Sequence, residues 1–106
     1  MDINKVTLIG TVGDHVERKN NMATFSVATH KKFKRKNGKL EEHTTWHKIV
    51  CFGVMAEVAE KFVRKGKKVY VYGEIEGNYV VNELGVKVTY YNILAHEIIS
   101  LSESNY

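Results

Sequence analysis

Two hydrophobic periods alternate along this 106-residue chain, and each marks a different kind of element. From Lys5 to Val12 the apolar residues Val6, Leu8 and Val12 fall on one two-residue alternation, with Gly10 in phase where a Cβ is missing. That pattern predicts a strand bent or bulged at Gly10 and closed by Gly13-Asp14. Arg18-Lys19-Asn20-Asn21 is a polar turn before a second strand, in which Ala23, Phe25 and Val27 alternate with Thr24, Ser26 and Ala28. A third strand runs from Thr44 to Phe52. Its end, Ile49-Val50-Cys51-Phe52, is apolar at every position, which predicts cover on both faces. The period then changes. Met55, Val58, Ala59, Phe62 and Val63 follow the i, i+3, i+4, i+7, i+8 stripe of a short amphipathic helix, with Gly66 as its stop.

After Gly66 the two-residue period returns. Val69, Val71, Gly73 and Ile75 line one side of a strand ending at Glu76. Tyr70 and Tyr72 lie on the other side, which predicts a second covered face such as a subunit contact or ligand platform. Tyr79-Val80-Val81 and Val86-Lys87-Val88 flank a hairpin tip at Leu84-Gly85, and a last strand runs from Val86 through Leu94 to Leu101. Five strands with one short α-helix between the third and fourth predict an all-β fold, the five-stranded Greek-key barrel called the OB-fold, with the helix plugging one end. An α+β sandwich with one covering helix is the alternative arrangement. No repeat or domain boundary interrupts the pattern, so residues 1–106 are expected to form a single domain.

Composition narrows the class. With 43% hydrophobic and 26% charged residues the chain is neither disordered nor collagen-like. No window approaches the roughly 18 consecutive apolar residues of a membrane span, and Met1-Asp2-Ile3 begins no leader. The single cysteine, Cys51, excludes an intrachain disulfide and fits a reducing compartment; the cytoplasm is the expected location, with an organelle or an infected host cell as the alternatives. The net charge of +4 is unevenly spread. Lys31, Lys32, Lys34, Arg35, Lys36 and Lys39 fall within nine residues that contain no acid. Without those six, ten basic residues face twelve acidic ones, a net of −2. Such a run is either a solvated loop or an electrostatic footprint for a polyanion. Phe33 inside the run and the turn signal Asn37-Gly38 favour a held ribbon tip that binds.

Catalytic chemistry finds little support in the residue pattern. His43 and His47 are four apart on a predicted strand, about 13 Å by strand rise, too far for one metal ion. His15, His30 and His96 have no ligand partner at metal-binding spacing, and no phosphate-binding glycine loop is present. Cys51 reads as a buried small hydrophobe, and Glu41-Glu42 as surface charge balance. No enzyme and no cofactor is expected. Aromatic residues interleaved with cations are more informative: Phe33 in the basic run, Trp46 and Phe52 six apart on the third strand and so on one face, and Tyr79 near the last hairpin. Cations following phosphates and flat rings stacking unpaired bases are what a single strand of nucleic acid requires. Core packing is the competing explanation for each ring, strongest for Phe52 and weakest for Phe33 among its lysines.

Asn4-Lys5-Val6-Thr7-Leu8-Ile9-Gly10, Phe25-Ser26-Val27-Ala28-Thr29 and Thr45-Trp46-His47-Lys48-Ile49-Val50-Cys51-Phe52-Gly53 together resemble the bacterial-type single-stranded DNA-binding proteins. The likeness continues through Val63-Arg64-Lys65-Gly66 to Val69-Tyr70-Val71-Tyr72-Gly73 and covers roughly Asn4 to Leu101. The resemblance implies an OB-fold homotetramer that wraps single-stranded DNA without sequence preference in replication, recombination and repair. It places stacking rings at Phe33, Trp46, Phe52 and Tyr79, with His47 near a subunit contact. The family often has Trp at the first and last of these, so the smaller rings here imply weaker stacking. Two departures stand out: Asp14-His15-Val16-Glu17-Arg18 lacks the family's usual turn proline, and the sequence stops at Ser102-Glu103-Ser104-Asn105-Tyr106 without the family's acidic, partner-recruiting tip. A truncated core or a tail-less member is expected, and tail-mediated partners are not carried over. A dimeric OB-fold accessory protein, bridging protein partners to DNA as in primosomes, is the second functional class.

Overall fold

The computed structural model describes residues 1–101; the expectation attached to Ser102–Tyr106 lies outside the described residues. The elements are β1 (Val6–Val12), β2 (Glu17–Lys19), β3 (Met22–Lys34), β4 (Leu40–Phe52), α1 (Val54–Phe62), β5 (Lys68–Val81) and β6 (Lys87–Ser100). The strands run in the order β1-β5-β6-β4-β3-β2, and β1 also pairs with β3 through Thr11↔Ala28 and Val12↔Val27. Five strands therefore close into a barrel, with the three-residue β2 flanking β3. This is the OB-fold expected from the sequence. No bulge interrupts β1 at Gly10, whose register with β5 is unbroken, but closure does depend on the missing side chain: a Cβ there would sit 2.4 Å from the Ala28 carbonyl oxygen and hold β1 off β3.

The core is the inward alternation of the barrel strands. Phe25 and Val27 of β3, Ile49 and Cys51 of β4, Val69 and Val71 of β5, and Ile93 and Ala95 of β6 are buried together with Ala56, Ala59 and Val63. The helix does cover one barrel end, but its buried stripe differs from the predicted one. Phe62 is 58% exposed, while Ala56 and Ala59 are fully buried and Met55 and Val58 are partly so. Two alanines let the helix axis approach the strands closely, and that rotation turns Phe62 out. Gly66 is not the stop either. Val63 turns extended to bury its side chain, and the Arg64 guanidinium donates to the carbonyls of Glu60 and Val63 at 2.9 Å, satisfying the helix end. Gly66 instead occupies the reverse turn that leads into β5.

Two hairpins run past the barrel. β3 and β4 stay paired from Met22↔Phe52 to Lys34↔Leu40, so β4 begins four residues earlier than its own alternation predicted. β5 and β6 stay paired to Val81↔Lys87, making one strand of the two segments predicted on either side of Gly77-Asn78. Because these arms project, the radius of gyration is 16.3 Å, against about 13 Å for a compact domain of this length.

Candidate nucleic-acid interface

Strand alternation settles which rings share a face. On β4, Trp46 and Phe52 stand on the same face as Lys48 and Val50, opposite Ala28, Met22, Ser26 and Thr24 on β3. Phe33 pairs with Glu41, in the alternation of Lys31, His43 and the core residue Ile49, so it takes the other face of the ribbon. Lys32 and Lys34 share the Trp46 alternation. The cations therefore flank both faces of the arm, and the four rings do not form one continuous row.

Trp46 is the best-placed ring. It is 62% exposed, yet it is held from behind by the backbone after β1, since a Cβ on Gly13 would lie 2.1 Å from its Cζ3. Gly13 is itself fixed by donating its N–H to the Ser26 carbonyl at 3.0 Å. A ring with one supported side and one open side is preorganised for stacking. Gly13→Ala is therefore expected to swing the indole away and lower affinity for a dT oligomer about as far as loss of the ring does. Combining Gly13→Ala with Trp46→Ala tests this: the pair should be no worse than Trp46→Ala alone, and additive losses would contradict the support role.

Phe33 lies outside the core, as its cationic neighbourhood suggested, but at 37% it ranks lowest of the four rings in exposure. The Arg35 guanidinium lies 5.9 Å from its centroid and covers it, and Arg35 is in turn ion-paired to Glu41. Glu41 thus provides the expected charge balance, and it occupies one of the six cations. Glu41→Gln is expected to release Arg35 and steepen the slope of log affinity against log salt by about 0.7, the single-strand value per phosphate contact. An unchanged slope would mean Arg35 already reaches the strand. Phe52 is half-exposed at the end of β4 rather than covered, although Ile49, Val50 and Cys51 beside it are buried as expected. Tyr79 is exposed on the other arm, with the Lys87 ammonium 4.1 Å from its ring centroid.

Burial shifts the titration of two groups on β4. His47 exchanges a 2.8 Å hydrogen bond with Thr29 through Nε2, and burial lowers its pKa. A histidine that resists protonation when folded contributes stability above the ordinary imidazole range, lost as pH falls through its lowered value. Melting temperature is accordingly expected to drop between pH 7.5 and 5, and by less in His47→Gln. Burial pushes the Cys51 thiol up to about 11, which keeps it protonated and inert.

Sequence patterning passed over Tyr91, Lys48 and Lys87. Tyr91 was legible in principle: pairing the last hairpin from its tip puts Tyr91 opposite Gly77, two residues along from Tyr79 and in the same alternation as buried Ile93.

Comparison with known proteins follows the same lines. The profile of the "Single-strand binding protein family" matches residues 3–101. The chain is 34% identical to a "Single-stranded DNA-binding protein" of Neisseria meningitidis serogroup A, over 99% of this chain and 63% of that protein. It is 37% identical to "Single-stranded DNA-binding protein 1" of Chlorobaculum tepidum, over 70% of this chain and 49% of that protein. It therefore spans about half to two thirds of the length of these curated relatives. Among solved structures, the "Plasmodium falciparum SSB complex with ssDNA" superposes with a TM-score of 0.86 at 28% identity, covering 96% of this chain and 97% of that one. The profile covers nearly all of the sequence, including both arms and the segment around Trp46, and the chain belongs to the single-strand binding protein family.

Proposed function

We propose that this chain is a non-enzymatic OB-fold domain, residues 1–106, that binds and protects single-stranded DNA without sequence preference in cytoplasmic replication, recombination and repair. The observation that carries this is Trp46, open to solvent on one side and braced by Gly13 on the other, at the root of an arm bearing Lys31, Lys32, Lys34, Lys36 and Lys39. Kinship with proteins named for single-stranded DNA binding supports it. The lysines attract and follow phosphates, while Trp46, Phe52, Tyr79 and Phe33 offer stacking surfaces to whichever bases pass. Fluorescence anisotropy of a labelled dT oligomer, run beside the matching duplex across a salt series, tests this. Tight, steeply salt-dependent binding of the single strand and weak binding of the duplex are expected; equal affinities would overturn the reading.

The assembly is a homotetramer. Its support is the outer face of β1, β5 and β6, where Ile9 and Ile99 flank Tyr70, and Thr7 and Glu97 flank Tyr72. Ile9 and Ile99 are exposed and the two tyrosines only half-buried, leaving apolar area for a second subunit to cover. Sedimentation with and without DNA reads the mass directly, and a stable dimer that gains mass only on adding a protein partner would point to the accessory class instead.

A further inference from the structure

On the Trp46 face of the β3–β4 arm, one polar cluster stands between the tryptophan and the lysines. Ala28↔Trp46 is followed by His30↔Thr44 and then by Lys32↔Glu42, so His30 lies one cross-strand pair beyond Trp46, about 7 Å farther out by strand rise. His30 is exposed, and its ring is held through one nitrogen: Nδ1 lies 2.9 Å from the Thr44 hydroxyl and 3.2 Å from a Glu42 carboxylate oxygen. An ionised carboxylate can only accept, so in the neutral imidazole Nδ1 carries the proton and donates towards this pair. That leaves Nε2 as an acceptor, with no hydrogen-bond partner among the described residues. His47 and its partner Thr29 belong to the opposite alternation, so the cluster is separate from the subunit contact expected at His47.

We propose that His30 is a base-edge contact for the nucleotide next to the one stacked on Trp46, with Nε2 accepting an N–H from the base while Glu42 and Thr44 orient the ring. The proposal rests on the single-strand reading and adds a contact of a different kind from the rings and the lysines. Every base carries an N–H on its Watson–Crick edge: the amino groups of adenine and cytosine, N1–H of guanine and N3–H of thymine. An acceptor here therefore serves any sequence, and an unpaired strand offers edges that a duplex keeps hidden. Glu42 gains a purpose on a face that otherwise carries Lys32, Lys34 and Lys48: it sets which nitrogen of His30 is left for the strand. Because Nδ1 is already held, little ordering of the ring is needed on binding.

The test compares a dT oligomer of about eight nucleotides, within the site size of one OB-fold, with the same oligomer built from N3-methylthymidine, which keeps the ring but has no N3–H. Affinities for both are measured at about pH 8, where imidazole is ordinarily neutral, for wild type, His30→Ala, His30→Gln and Glu42→Ala. Wild type is expected to prefer dT, and His30→Ala to lose roughly two- to tenfold of that preference, the range for one neutral hydrogen bond. His30→Gln, which can bring an acceptor oxygen near the Nε2 position, should keep most of it. Glu42→Ala should narrow the preference, because the ring loses the carboxylate that fixes its proton on Nδ1; an unchanged preference there would overturn the orienting role. A preference identical in wild type and His30→Ala would overturn the base contact, whether affinity is unchanged or falls equally for both oligomers. If wild type itself fails to bind dT, the single-strand reading fails first; if it binds and the preference ignores His30, only this contact fails.

Discussion

Trp46→Ala is expected to weaken binding of a dT oligomer by roughly five- to 150-fold at every salt concentration while leaving the fold intact. The magnitude is that of one base–aromatic stack, about 1–3 kcal/mol. The salt independence follows because the indole makes no phosphate contact, so the number of released counterions does not change. The ring is mostly exposed and covers little of the core, so unfolding free energy should change by no more than about 1 kcal/mol. Replacing Lys32, Lys34 and Lys36 with Gln should do the opposite: a shallower salt slope by about 0.7 for each phosphate contact removed, and convergence with wild type at high salt. Trp46→Phe should recover most of the loss. A Trp46→Ala deficit that vanishes at high salt would assign the tryptophan an electrostatic rather than a stacking role.

Ile49→Ala carries the largest expected effect on stability. Ile49 is fully buried, pairs with Phe25 on β3 and with Ile93 on β6, and sits where β4 and β6 make their brief parallel contact. Truncation leaves a cavity among strands that cannot all close around it, a loss of about 2–5 kcal/mol. In a domain whose total stability is about 5–15 kcal/mol, that should lower the melting midpoint by more than roughly 10 °C. Ile49→Val should cost only about 0.5–1.5 kcal/mol. Ala56→Ser, in the helix-covered part of the core, should lower stability while leaving DNA binding below the melting range unchanged.

What the sequence revealed and concealed follows from how local each cause is. The barrel strands were legible because one buried face imposes strict alternation, as in Ala23, Phe25 and Val27. The arm lengths were not, because beyond the barrel neither face is buried and pairing is sustained by the partner strand: Leu40 to His43 are in β4 on account of Lys31 to Lys34. Gly77-Asn78 looked like a break and is continuous strand, since the missing Cβ is filled by the Tyr91 ring from the neighbouring strand. β2 is three residues long and carries no period to detect. For the site, residue types pointed to Phe33, Trp46, Phe52 and Tyr79, and the structure confirms only that Trp46 and Phe52 share a face. Phe33's partial cover by Arg35, and the bond from Arg35 to Glu41 across the hairpin, are contacts between residues that no spacing rule links. Glycine positions held more functional information than they first showed: Gly13 and Gly77 each leave room for a ring from a distant strand.

Trp46 is the sole tryptophan, so its emission reports on one defined surface. Titrating the wild-type protein with poly(dT) while following that emission is the most direct measurement of whether a base stacks there. A saturable quench is predicted, reversed by salt along the slope that the lysines set and absent with duplex DNA. Binding detected by anisotropy with no change in Trp46 emission would contradict it.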